Sequence, residues 1–196
     1  MNKKLIYTTK RTVILFAAIL LLTGTHKKQI EFCNSVKAQF PEYFKHTKVL
    51  DVGSLDINGN NRMFFDSCDY TGIDIGPGPN VDVIEPVHKH RGIYDVVICT
   101  NMLEHDKYYK KSMKRMIKLL RQEGLLIITA PAEGHPVHGV DTLHPESSPY
   151  TLGYYRNLNK EEFISILNPE NNFTKHGFRH SERDFELYFW GIKKEK

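Results

Sequence analysis

The sequence predicts an α/β fold with a doubly wound, mainly parallel sheet and an antiparallel last strand. Three observations carry that reading. Short runs of β-forming residues alternate with stretches of helical periodicity, the signature of parallel strands joined by crossovers. Acids and a glycine gather where the first runs end, as in "VLDVGSLDINGN" (Val49 to Asn60) and "YTGIDIG" (Tyr70 to Gly76). The chain closes on "HGFRH" and "DFELYFWGIKK", two neighbouring runs that read as an antiparallel pair.

Taken in order, "KKQIEFCNSVKAQFPEYF" spaces Ile30, Cys33, Val36 and Phe40 as one face of a helix, and Pro41 closes it. Val49 to Val52 is the first strand, and "NNRMFFDSC" reads as a short helix. Tyr70 to Gly76 is the second strand, broken by "PGP", and Val81 to Glu85 is the third. "YDVVICT" (Tyr94 to Thr100) is nearly continuous in β-formers. "DKYYKKSMKRMIKLLRQEG" is an amphipathic helix with Met113, Met116, Ile117 and Leu120 as its stripe and Gly124 as its cap. "LLIITA" is the next strand. A polar loop rich in His and Pro then runs to about Tyr154, and "LNKEEFISIL" follows as a helix capped by Asn159.

The 196 residues suffice for one domain with a continuous core. Residues 1–48 carry nine of the 27 basic residues and two of the 23 acidic ones, so the net +4 splits into +7 there and −3 on the rest. A main domain without basic excess argues against nucleic acid as the partner. Cys33, Cys68 and Cys99 are scattered, odd in number and without a CxxC, as in a protein of the reducing cytoplasm. Residues 1–24 join a basic start to an apolar run from Thr12 to Leu22, shorter than the roughly 20 residues a membrane span needs. Three readings stay open for them: a membrane anchor, a helix packed on the domain, or an extension outside the functional unit. Residues 25–196 are expected to form the functional domain.

In open α/β sheets ligands bind at the carboxyl ends of the strands. Gly53 lets the backbone turn sharply and a ligand come close. Asp74 lies 23 residues after Asp51, where a carboxylate can hold two vicinal ribose hydroxyls, or else cap the turn before Gly76. Leu55 stands where a phosphate-binding loop would have its second glycine, and Asp51 and Asp56 would repel a phosphate. The loop suits a nucleoside with a cationic tail.

"VLDVGSLDINGN", "YTGIDIGPGPNVDVI", "YDVVICTNMLEHD" and "GLLIITAPAEG", in that order, resemble the class I S-adenosylmethionine-dependent methyltransferases, in particular their small-molecule branch. The likeness spans about residues 27–193. It implies a Rossmann-like sheet of seven strands and S-adenosylmethionine as cofactor. It assigns Asp51, Gly53, Ser54, Asp56, Asn58, Asp74, Ile75, Glu85 and Asn101 to cofactor binding. The chain departs from the family where Ser54-Leu55-Asp56 replaces the glycine-rich part, and where Glu85-Pro86-Val87 follows the third strand.

Methyl transfer from a sulfonium is an in-line displacement that needs alignment and exclusion of water. A base is needed when the acceptor must lose a proton. His105, in "LEHD", can take one or can simply pack against the cofactor while Asp106 caps a helix. The segment 132–156, "HPVHGVDTLHPESSPYTLGYYRN" at its heart, reads as a substrate lid and contributes His138, Tyr155 and Arg156 as acceptor-side candidates. Arg156 offers a planar fork for an oxyanion, while packing of the lid is the plainer role for Tyr154 to Arg156. His135, His138 and His144 fit no closed zinc spacing and have no cysteine beside them, so no metal is expected. The basic residues of the helix at 107–121 lie mostly away from its apolar stripe, as on a solvated face. The expected acceptor is a small or sugar-like molecule. A macromolecule methyltransferase, a non-catalytic nucleotide-binding or scaffold protein, and an NAD or nucleotide-sugar enzyme remain alternatives.

Overall fold

The computed structural model describes residues 26–151 and 153–195. The three readings of residues 1–24 lie outside them. No helix among the described residues is long and apolar enough to cross a membrane.

The chain enters through helix α1 (26–39), which buries Phe32, Cys33 and Val36 and stops before Pro41. Strand β1 (Lys48–Val52) follows, then β2 (Asp69–Asp74), β3 (Val83–Ile84) and β4 (Tyr94–Thr100). Helix α2 (Tyr109–Leu119) runs directly into β5 (Leu120–Pro131). Helices α3 (Lys160–Leu167) and α4 (Pro169–Asn172) precede the hairpin of β6 (Phe173–Ser181) and β7 (Glu186–Lys193).

The seven strands stand in the order β3-β2-β1-β4-β5-β7-β6. β1 to β5 are parallel, and β7 is antiparallel to both neighbours, with Ile127 opposite Trp190 and Phe178 opposite Phe189. Side chains alternate across the strands. Val49, Val96, Ile98, Leu125 and Ile127 pack under α1, while Leu50, Val52, Val97, Cys99, Leu126 and Ile128 pack under α2 and α3. A sheet buried on both faces explains why its central strands read as unbroken apolar runs. From β1 the chain winds outward through β2 and β3, then returns to β4 on β1's other side. The carboxyl ends of β1 and β4 therefore flank the point where strand order reverses, and a crevice opens there.

Three local expectations are corrected. The segment 60–68 is helical only over one 3₁₀ turn (Asn61–Phe64), because Phe65 is already extended at φ −105°, ψ 136°, which a continuing helix excludes. Gly124 lies inside β5 and does not cap α2; the reversal after the helix falls at Glu123, φ +56°. The third strand is two residues long, since only Val83 and Ile84 reach register with Ile73 and Asp74. Asn159 caps α3 as expected, its side chain accepting from Glu162 N at 3.0 Å.

Candidate functional site

The crevice is a cavity of about 1050 Å³. On one side it is lined by the loops after β1, β2 and β4, and on the other by His135, His138, His144 and residues 146–151 of the lid. Single ligand pockets run about 300–1,000 Å³, so this one has room for a nucleoside cofactor and a second small molecule.

Gly53 turns at φ +78°, and a Cβ there would stand 2.4 Å from Met102 Cγ. Only glycine lets the β1 loop pass beneath the β4 loop. Asp51, at the end of β1, is buried and lines the cavity. It accepts from Tyr70 Oη at 2.6 Å, Asn61 Nδ2 at 2.8 Å and Asn80 Nδ2 at 3.4 Å. Burial pushes its carboxyl up to about 6, against the pull of these donors. Asp56 accepts from Gly59 N at 2.9 Å and Asn60 Nδ2 at 2.6 Å. Its carboxylate closes its own loop and is not among the groups lining the cavity.

Ser54, Asn58, Asp74, Ile75, Glu85 and Asn101 all line the cavity. Ser54 is buried, and its hydroxyl has no hydrogen-bond partner among the described residues. Asp74 accepts backbone N–H groups from Leu55 (3.3 Å), Ile75 (2.7 Å) and Gly76 (3.4 Å), so the turn-capping role is filled while the residue still faces the cavity. Burial raises its pKa despite those three amides. Glu85 pairs with His90 Nδ1, whose Nε2 meets Tyr94 Oη at 2.8 Å. Asn101, at φ +48°, accepts from Thr129 Oγ1 at 2.7 Å.

The acceptor-side candidates separate. His105 and His138 line the cavity with ring centroids 5.2 Å apart. Tyr155 lies behind them, its ring 5.4 Å from that of His105 and 4.9 Å from that of His138, its hydroxyl donating to Asn157 Oδ1 at 2.6 Å. Arg156 is not brought to the cavity. Its guanidinium stacks on Tyr109, 4.7 Å from the ring centroid, and reaches Glu162 Oε2 at 3.3 Å, because the lid's return segment lies along α2 and α3. Burial lowers the pKa of His105 to about 4, and the Tyr154 carbonyl only partly offsets it.

Sequence reasoning gave no role to two groups beside these histidines. Glu104 is fully buried, and neither of its carboxylate oxygens has a hydrogen-bond partner among the described residues. Desolvation raises its pKa to about 8. Glu186, at the start of β7, is 1% exposed, with Oε1 3.9 Å from His135 Nε2. Burial and the nearby Glu104 raise its pKa well above the ordinary range. "LEH" carried a visible signal, a charged residue between apolar strand and helix. Glu186 carried none, since an acid at the head of an alternating strand ordinarily faces water.

A family model described as a methyltransferase domain matches residues 25–191. None of the curated proteins matches the chain in sequence. Among solved structures, the Burkholderia thailandensis 1,6-didemethyltoxoflavin-N1-methyltransferase, solved with 1,6-didemethyltoxoflavin and S-adenosylhomocysteine, superposes with a TM-score of 0.59 at 16% identity, covering 92% of this chain and 89% of that one. The N-methyltransferase NodS of Bradyrhizobium japonicum WM9, in complex with S-adenosylhomocysteine, gives 0.58 at 11% identity over 87% of each chain. The magnesium protoporphyrin IX methyltransferase of Synechocystis PCC 6803 gives 0.57 at 14% identity, covering 84% and 83%. At such identities the likeness is one of fold, and it agrees with the strand order found here. With the family model spanning nearly all of the described residues, the chain belongs to the methyltransferase-domain family.

Proposed function

We propose that the protein moves a methyl group from S-adenosylmethionine to a small-molecule or sugar-like acceptor. The observation that carries this is a cavity shared between the strand-end loops and the lid and large enough for both reactants. Asp74 takes the ribose hydroxyls, with Ile75 beside it. Gly53 lets the cofactor lie against the β1 backbone, and Asn101 and Ser54 offer polar contacts toward its amino-acid end. Binding S-adenosylmethionine there supplies an activated methyl group. The protein's own work is to align the acceptor on the methyl–sulfur axis and keep water out. His105, its Nδ1–H donating to the Tyr154 carbonyl at 3.1 Å, is held in the cavity wall and faces the place of the acceptor.

A small acceptor fits better than a nucleic acid. The basic residues of α2 are partly spent within the fold: Lys110 pairs with Glu162, Arg115 donates to the His90 carbonyl, and Arg121 pairs with Asp95. The lid also forms one wall of the cavity, making a recess of the size a small molecule fills. The test is label transfer from methyl-labelled S-adenosylmethionine to three acceptor pools: metabolites, total RNA and proteins. Label confined to the metabolite pool is the expected result. Label in RNA or protein would overturn the acceptor class, and no release of S-adenosylhomocysteine from any pool would overturn the catalytic reading.

A further inference from the structure

The histidines beside Glu104 share one arrangement. His105 Nδ1 donates to the Tyr154 carbonyl (3.1 Å), and His135 and His138 Nδ1 both donate to the Pro136 carbonyl (3.0 and 3.1 Å). A carbonyl oxygen only accepts, so each ring carries its proton on Nδ1 and leaves Nε2 as a bare lone pair. His105 Nε2 stands 4.0 Å from Glu104 Oε1. That carboxylate is completely buried, accepts no hydrogen bond from any other described residue, and has no lysine or arginine paired with it there. Bare lone pairs and a bare carboxylate turned toward one point repel each other unless something positive lies between them. One ligand atom each from Glu104, His105 and His138 lies within 4.8 Å of the others.

We propose that Glu104, His105 and His138 form a binding site for a divalent transition metal, with zinc as the first choice. Two neutral imidazoles and one carboxylate are the donor set of open metal sites, and backbone carbonyls holding the remote ring N–H are the usual support that fixes tautomer and aim. A tetrahedral ion with bonds of about 2.1 Å holds its ligand atoms roughly 3.4 Å apart, so the three side chains draw in by about an ångström at most on binding. Three protein ligands leave at least one coordination position open. His105 and His138 line the cavity, so that position faces the room for the acceptor, where a hydroxyl or carbonyl oxygen would complete the shell. Sequence spacing gave no hint, because the ligands come from the turn after β4 and a lid more than thirty residues later, and the donor that completes them is a glutamate.

The test uses the full chain, stripped of metal by a chelator and titrated with zinc chloride against a chromophoric competitor, with cobalt(II) as spectroscopic probe. The expected result is one equivalent bound, with cobalt absorption in the visible. His138→Ala and Glu104→Gln are each expected to weaken zinc binding by about 100-fold or more. If Glu104→Gln fails to fold, His138→Ala on the lid still decides the matter. His176→Ala removes a surface histidine 3.6 Å from Glu170, the ordinary place for stray zinc, and is expected to change nothing. No binding by the wild type, binding that survives in the cluster variants, or binding lost in His176→Ala overturns the site; a buried Glu104 that simply holds a proton is then the explanation. Calorimetry with S-adenosylhomocysteine on the same samples keeps the questions apart. Zinc bound without the nucleoside strikes at the proposed reaction, and the nucleoside bound without zinc strikes at the metal site.

Discussion

Asp51 and Asp74 are both carboxylates at strand ends, but their surroundings differ. Asp51 is held by three side-chain donors, and burial pushes its carboxyl up to about 6. A carboxyl whose pKa is raised in the folded state favours the fold when protonated. Its contribution is fully present below about pH 4 and is lost as pH rises through 6. Asp51→Asn removes that dependence. Urea unfolding of wild type and variant at pH 4.5 and 7.5 is therefore expected to show the variant gaining relative to wild type as pH rises, by on the order of 2 kcal/mol. Asp74 faces the cavity while bonded to three backbone amides. Asp74→Ala is expected to weaken S-adenosylhomocysteine binding by 10-fold or more, as charge-assisted bonds to ribose, each about 1.5–3 kcal/mol at most, are lost. Unchanged affinity in calorimetry would leave Asp74 only its turn. At this scale the sequence was readable where a residue acts through its own loop, as with Gly53 and Asp74. It was unreadable where the partner is remote: Asp51 is satisfied by Tyr70 and Asn80, and Glu104 meets a lid dozens of residues on. Arg156 misled because its stacking on Tyr109 depends on how the lid packs, which no local pattern records.

Among the elements, the lid is the least regular and the most consequential. It leaves β5 at Ala132, which bridges to Leu158, and returns along α2 and α3. Its far end is fixed by Tyr150, whose hydroxyl donates to the Pro77 carbonyl at 2.8 Å and whose ring lies on Gly76, where a Cβ would come within 2.0 Å. Tyr150→Ala removes both contacts. Amide hydrogen exchange over residues 140–153 is expected to speed up at least several-fold in the variant, with the central strands unchanged. Equal exchange would mean that the lid is held from its other end. Strands and long helices were legible because burial on one or two faces prints a period into the sequence. The lid could be recognised as a loop but not placed, since Pro, His and Gly specify turns without specifying what they turn toward.

For the whole molecule, stability and chemistry occupy different levels of the sheet. The β5–β7 centre, with Ile127 and Ile128 fully buried between the two layers, holds the fold together. Ile127→Ala is expected to cost about 2–5 kcal/mol in chemical unfolding while leaving S-adenosylhomocysteine affinity unchanged below the transition, because the residue touches only the α1-side core. An equal loss of affinity would mean the core and the strand ends are mechanically linked. The site stands at the rim, where β1 and β4 end on either side of the reversal, and there the chain tolerates bare carboxylates, histidines and positive φ angles that the centre does not.

The tyrosine that pins the lid bridges two ligand territories, since Gly76 and Pro77 follow the strand that carries Asp74. That contact stands at the wall of the cavity the two reactants would share. Were the lid to loosen at this contact and admit the cofactor before the acceptor, the spent nucleoside would leave last. Turnover would then be governed by escape of product and not by the displacement, with steady-state kinetics of the ordered kind, product inhibition competitive toward the methyl donor, and a rate that rises when Tyr150 is shortened.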